Sequence, residues 1–175
     1  MANASTMMPL KGEKRWAYLA RAKTIRVASV NEDGSIYLSP LWYVVEDKHI
    51  YLPLDAGSRH GANGAAGRAV QGLVDSGEDY ATVAGVRLLG SLRLVEDATA
   101  VQRLQELVFD KYFHVGHPYA EQYFEFGEFA GRRYYEFVCD KMIGWDMREN
   151  SQPAMPEARV LPAFVTDRRL PESGA

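Results

Sequence analysis

The stretch DAGSRHGANGAAGRAV, residues 55–70, holds the first residues whose types and spacing could do chemistry. Ser58 stands where an N-cap would precede a short helix opening at Arg59. A helix N-terminus leaves backbone N–H groups without partners and carries partial positive charge, so it favours an anion. The Ser58 hydroxyl and the Arg59 and Arg68 guanidinium groups add donors and charge suited to a phosphate. The competing reading is a poorly formed connection, because Gly61, Gly64 and Gly67 would each cost a helix interior about 1 kcal/mol relative to alanine. The strict phosphate-loop pattern is not met, since no Gly-Lys-Ser/Thr occurs.

A second candidate is Ser39-Pro40-Leu41-Trp42. Proline has no N–H to give a strand ladder, so Pro40 marks a sheet edge or a bulge. The plain reading is a bulged edge strand. The sharper one is a backbone patch facing a planar ligand. The histidines are His49, His60, His114 and His117. HVGH sets two of them three apart, a spacing a metal site can use. No further ligand declares itself, and no metal site is expected. No Ser-His-Asp set or Cys-His nucleophile is evident, so the catalytic residues stay unassigned. Cys139 lies in a strand-like stretch and reads as core. The aromatic run KYFHVGHPYAEQYFEF, residues 111–126, suits core packing or a dimer interface, or else a wall for a flat ligand.

These residues need elements to position them. Residues 12–22 read as an amphipathic helix with Trp16, Leu19 and Ala20 on one face. Residues 24–30 alternate as a strand, NEDG at 31–34 is a turn, and residues 35–46 form a second strand. Residues 49–54 make a third, giving an antiparallel meander. Residues 68–76 and 86–97 are the fourth and fifth strands. A helix follows over 98–113, capped by Asp97 or Thr99, with Val101, Leu104, Leu107 and Val108 on its apolar face. Residues 118–126 allow a further helical turn or two, and 132–147 make a sixth, long strand. The fold class expected is mainly β: six antiparallel strands with a few helices, closed as a small barrel. Most connections are too short for parallel crossovers.

The chain has 175 residues, a net charge of −3 and one cysteine. One domain over 1–149 with a Pro-rich extension over 150–175 accounts for the length. The extension suits an arm over a neighbouring subunit or a disordered tail. The charge gives no reason to expect nucleic-acid binding. A single cysteine excludes an intrachain disulfide and suits the cytoplasm. Neither a secretory leader nor a membrane span is expected from the distribution of apolar residues.

Taken in order, TIRVASVNEDGSIYLSPLWYVVEDKHIYLPLDAGSR, VRLLGSLRLVED and RRYYEFVCDKMIGWDM resemble the pyridoxamine 5'-phosphate oxidase-like family of flavin-binding split barrels, over about residues 13–148. The Ser-Pro-Leu-Trp variant is similar to branches that use FMN or the deazaflavin coenzyme F-420. The resemblance implies a six-stranded antiparallel split β-barrel and a homodimer with two cofactor sites at the subunit interface. By position, it implies that Ser39, Pro40, Leu41 and Trp42 run along the ring, with Leu52, Pro53 and Leu54 near it. It implies that Ser58 and Arg59 hold the phosphate, with His60 in the place usually taken by lysine and Asn63 at a polar position of the following helix. Residues around Val86–Leu89 and Trp145 would come from across the dimer. The departures are His60 for lysine and the additional glycines, which lower charge and rigidity there. No second Arg/His pair for a substrate phosphate stands near the closing strand. The activity implied is hydride transfer to a small unsaturated or heteroaromatic substrate. The alternatives are a non-catalytic flavin- or haem-binding protein, with His60, His114 or His117 as an axial ligand, and a degenerate member that binds a protein partner.

Overall fold

The structure, a computed structural model, describes residues 8–79 and 81–148. The 150–175 extension lies outside the described residues. The elements are β1 (Met8–Pro9), α1 (Gly12–Arg21), β2 (Ile25–Val30), β3 (Ile36–Leu41), β4 (Val44–Glu46), β5 (His49–Leu54), α2 (Arg59–Ala65), β6 (Val70–Ser76), β7 (Ala84–Leu94), α3 (Ala98–Tyr112), α4 (Ala120–Phe129) and β8 (Arg133–Asp146). The strands form one antiparallel sheet in the order β3-β2-β6-β7-β8-β5-β4, with β1 added to β8. This is the antiparallel split barrel. Its path holds seven strands rather than six, because the second expected strand, 35–46, is two strands.

The division falls at Trp42 and Tyr43. Ile36–Leu41 pairs with β2 at one end of the sheet, and Val44–Glu46 pairs with β5 at the other. Two residues therefore join the two ends of the sheet, and the sheet must curl round to let them meet. The expected meander is corrected accordingly: β2 with β3 and β4 with β5 are hairpin pairs, but they sit at opposite ends. The long β7–β8 ladder bends at a bulge between Leu89 and Gly90. A Cβ on Gly90 would stand 1.9 Å from the Val138 carbonyl oxygen, so glycine is required at this bend.

Alternation fills the barrel. Ile25 and Val27 of β2, Ile50, Leu52 and Leu54 of β5, Val70 and Val74 of β6, and Val86 and Leu88 of β7 are buried in one cluster. Helix α1 plugs one end through Tyr18 and Leu19. The Tyr18 hydroxyl donates to the Ala84 carbonyl at 3.0 Å and accepts from the Ser76 hydroxyl at 3.0 Å, which turns Tyr18 inward and leaves Ala20 exposed, against expectation. A second cluster gathers Leu104 and Val108 of α3 with Val44, Phe113 and Tyr134. Asp97 is the α3 cap, accepting from the Ala100 N–H at 2.7 Å. The expected turn or two after His117 is the ten-residue helix α4. Among the described residues no helix is long and apolar enough to cross a membrane.

The junction between β3 and β4 has no ladder partner of its own. A side chain supplies one. The Tyr112 hydroxyl accepts from the Tyr43 N–H at 2.9 Å and lies 2.7 Å from the Tyr43 carbonyl and 2.8 Å from the Lys23 carbonyl. Removing it leaves backbone groups of a fully buried residue without partners. Tyr112→Phe is expected to lower the free energy of unfolding by about 1–3 kcal/mol, read from urea denaturation.

Candidate functional site

The division of the strand also opens a cleft. Pro53 pairs with Tyr134 of β8 on one side, but β4 ends its pairing at Val44 opposite Tyr51. Beyond that point β5 has no neighbour on its β4 side. Proline is tolerated there because no ladder bond is asked of its nitrogen. Pro40 stands on terminal strand β3, an edge position as its chemistry requires.

Between these two prolines lies a cleft of about 550 Å³. Its lining includes Ser39, Pro40, Leu41 and Trp42 from one side, Pro53 and Leu54 from the other, and Ser58, Arg59 and His60 at the start of α2. Nine of the twelve expected binding residues are therefore brought together. Tyr37, Asp55, Tyr123 and Arg132 also line it and were not anticipated individually. Tyr37 was findable, being two residues before Ser39 on the same strand face. Tyr123 belonged to the aromatic run. Arg132 carried no local signal.

Helix α2 has the expected start. Ser58 is its N-cap, and its hydroxyl accepts from the Gly61 N–H at 3.4 Å. The helix ends in a Schellman turn: Gly67 is left-handed at φ 68°, Arg68 N–H bonds the Asn63 carbonyl at 3.0 Å, and Gly67 N–H bonds that of Gly64 at 2.9 Å. The glycines are not slack. A Cβ on Gly64 would stand 2.7 Å from Leu92 Cβ, and one on Gly61 would stand 3.1 Å from the Tyr135 hydroxyl. They let α2 lie close on the sheet. The loop before it is fastened as well. Ala56 N–H bonds the Ala130 carbonyl at 3.1 Å, and Arg132 Nε bonds Asp55 Oδ1 at 2.9 Å.

His60 does not take over a lysine's charge. It is 1% exposed, with Ser29 Oγ 2.9 Å from Nδ1 and Ser39 Oγ 2.9 Å from Nε2. Burial pushes its pKa below the ordinary 6.5, so the ring is neutral. Asn63 Nδ2 donates to the same Ser29 hydroxyl at 2.8 Å and to Asn31 Oδ1 at 3.0 Å. Asn63 is thus a buried pin behind the cleft rather than part of its lining. One neutral tautomer satisfies the whole chain: Asn63 to Ser29, Ser29 to His60 Nδ1, and His60 Nε2–H to Ser39.

Leu52 is also corrected. It is fully buried in the barrel, because alternation points it away from the face that Pro53 presents. Val86 and Leu88 are core for the same reason, whereas Arg87 is exposed and Leu89 half-buried. Trp145 packs on Gly85 and pairs with Pro9 near the far end of β8, outside this cleft. Trp42 is held by stacking on Tyr112, with ring centroids 4.2 Å apart and planes 6° from parallel. Burial pushes the Cys139 thiol up, and its S–H faces the Lys141 carbonyl at 3.2 Å. His114 and His117 meet edge to face at 5.1 Å, and no group of three metal-ligating side chains occurs among the described residues.

A second cleft, of about 570 Å³, adjoins the first. Arg59 lines both. The second is also lined by Asn31, Glu32, Asp33 and Ser35 from the β2–β3 turn and by Ala62, Asn63 and Arg68 from α2 and its end.

The sequence profile described as pyridoxamine 5'-phosphate oxidase matches residues 13–135, and the chain belongs to this family. None of the curated proteins matches it. Among solved structures it is similar to a conserved hypothetical protein of Mycobacterium tuberculosis, at 23% identity and TM-score 0.72, covering 94% of this chain and 99% of that one. It is similar to an FAD-binding protein of Mesorhizobium loti, at 16% identity and TM-score 0.59, covering 80% and 96%. It is also similar to a haem storage protein of Vibrio cholerae, at 13% identity and TM-score 0.61, covering 81% and 99%. At these identities the likenesses establish the shared fold.

The His60 environment makes a pH prediction. A histidine whose pKa is lower folded than unfolded contributes its full stability above the unfolded value and loses it as pH falls below that value. Unfolding free energy is expected to decline as pH drops below about 6.5. His60→Gln should lack this portion of the decline in denaturant titrations across that range.

Proposed function

We propose that the first cleft binds a flavin or deazaflavin, FMN or F-420, and that the protein is an oxidoreductase acting on a small unsaturated or heteroaromatic substrate. The observation that carries this reading is the cleft's division of chemistry. Pro40, Leu41, Trp42 and Pro53 offer apolar walls suited to a flat ring. Ser58 and Arg59, at one part of the same cleft, offer hydroxyl and guanidinium donors suited to a phosphate. These residue types fit a phosphorylated planar cofactor.

The chain's own reactive groups are otherwise committed. His60 is neutral and bonded through both nitrogens. Asp55 is paired with Arg132, and burial raises the Tyr123 phenol. A bound flavin or deazaflavin would supply hydride transfer. The residues named would bind it, orient its ring and keep water from one side. The same commitments weigh against His60 as a haem ligand, since metal binding would take a nitrogen from a serine.

A homodimer is part of the proposal. Ile36 and Leu38 are 62% and 63% exposed on terminal strand β3, beside the cleft-lining Tyr37 and Ser39. An apolar pair on an edge strand is a liability unless covered, and a second copy would cover it. In the same proposal the assembly is cytoplasmic.

Three outcomes are expected. Titration with FMN and with F-420, followed by fluorescence and with haem as a control, should give saturable binding of one of the two cofactors. Arg59→Ala should weaken that binding at least tenfold, about 1.4 kcal/mol; unchanged affinity would remove Arg59 from the site. The double substitution Ile36→Lys and Leu38→Lys should convert a dimer to a monomer in light scattering and weaken cofactor binding with it.

A further inference from the structure

The hydrogen bonds behind the first cleft run in one direction, and two groups outside that cleft set it. The Arg68 guanidinium can only donate, and the Asp33 carboxylate can only accept. Arg68 Nη1 stands 3.0 Å from one terminal atom of the Asn63 amide, so that atom is the oxygen and the amide nitrogen faces the other way. The Ser35 bonds hold the Asp33 carboxyl below its usual range, so it is ionised. Asp33 Oδ1 takes the Ser35 hydroxyl proton at 2.6 Å, and Ser35 Oγ must then accept from Asn31, at 3.0 Å. That spends the Asn31 nitrogen there and turns its oxygen toward Asn63 Nδ2, 3.0 Å away. The two anchors agree on the Asn63 amide without sharing a bond.

From Asn63 the direction passes inward. The second proton of Nδ2 goes to Ser29 Oγ, at 2.8 Å. Ser29 is fully buried, and among the described residues its one other hydrogen bond is to His60 Nδ1, at 2.9 Å. If Nδ1 carried a proton, Ser29 would face two donors, and its own proton would be buried without an acceptor. Nδ1 is therefore bare, and the proton of the neutral ring is on Nε2. Nε2–H donates to Ser39 Oγ at 2.9 Å. Ser39 lines the first cleft and makes no other hydrogen bond among the described residues. Its hydroxyl proton is unspent and cannot turn back to His60.

Resting on the reading of the first cleft as a cofactor site, we infer that Ser39 is a specificity-determining residue there: a hydrogen-bond donor of fixed direction, requiring a carbonyl oxygen or an unprotonated ring nitrogen on the ligand edge seated against it. Asn63, Ser29 and His60 are positioning residues that act through it. A serine with no such neighbour serves a donor or an acceptor equally, because its hydroxyl rotates. Here a ligand N–H would meet an oxygen already accepting from His60, and would leave the serine proton without a partner. A ligand C–H would leave it so as well.

The test has two arms. Nitrogen NMR of the imidazole rings is recorded on the ligand-free chain at mildly alkaline pH, with His60→Gln to assign the signal. His60 should have Nδ1 bare and Nε2 protonated. The same tautomer should persist in Ser39→Ala and give way to a mixture in Ser29→Ala, because the direction is set from the Asn63 side. In the second arm the chain is titrated with FMN and with F-420. Affinity for the one that binds should fall about fivefold or more in Ser39→Ala, the worth of one hydrogen bond, and return in Ser39→Thr, which keeps the hydroxyl. An Nδ1–H tautomer in the wild-type chain, or a tautomer that changes in Ser39→Ala, overturns the inference and leaves the cofactor site standing. Unchanged affinity in Ser39→Ala does the same. Binding of neither FMN nor F-420 overturns the reading of the first cleft and the role of Ser39 with it, whatever the tautomer.

Discussion

The structure depends on one length of chain serving two ends of one sheet. Residues 36–46 are apolar and aromatic enough to be strand throughout, yet β3 and β4 belong to opposite termini of the sheet order. The barrel can close only if the ladder lapses between them, and a lapse in a buried ladder leaves polar backbone groups to satisfy. The Tyr112 hydroxyl meets that need at Tyr43, reaching in from the last turn of α3. Trp42, the other junction residue, lies on the Tyr112 ring. One tyrosine thus seals the backbone of the junction and supports a wall of the cleft. The cleft is the space the lapsed ladder leaves.

The second constraint is how closely α2 approaches the sheet. Its seven residues cannot be stable through helix propensity, least of all with two glycines among them. Packing holds it. Gly64 meets Leu92 where no Cβ would fit without movement, and the inward groups His60 and Asn63 bond Ser29 and Ser39 on two adjacent strands and Asn31 in the turn between them. Glycine here weakens the isolated helix and strengthens its seat. A neutral histidine suits that role better than lysine, because an ammonium buried at this position would require a counter-charge that two serine hydroxyls do not provide.

Local signals carried most of the fold. The turn at 31–34, the periodicity of α3 and the proline in β3 each named their own structure, because alternation, capping and the missing proline N–H are properties of neighbouring residues. What escaped was non-local. Nothing near Trp42 reveals that its strand divides, since the cause is closure of the whole sheet. Nothing near Gly61 or Gly64 reveals Tyr135 or Leu92. Leu52 was misplaced by reading a run of three residues as one surface when alternation sends its middle and outer members to different faces. Arg132 entered the cleft unannounced because its partner, Asp55, is far away in sequence and close only after β8 has paired with β5.

The two cleft arginines show how this scaffold divides its charges. Arg132 is largely buried, bonded to Asp55 and the Tyr123 carbonyl, and stacked 4.3 Å from the Tyr123 ring centroid. Its charge is spent on fixing the loop that leads to Ser58. Arg59 is exposed and touches an aromatic face rather than a carboxylate. An arginine already paired in the unbound protein must give up that pair before it can hold an anion, and a fully solvated flexible one must lose its rotamer freedom. Arg59 lies between these extremes, oriented by Tyr37 without being neutralised. Rigidity has been placed in the residues behind the cleft, and available charge in the residue where the two clefts meet. A phosphate held by Arg59 would gain from both, because the frame behind it is already ordered.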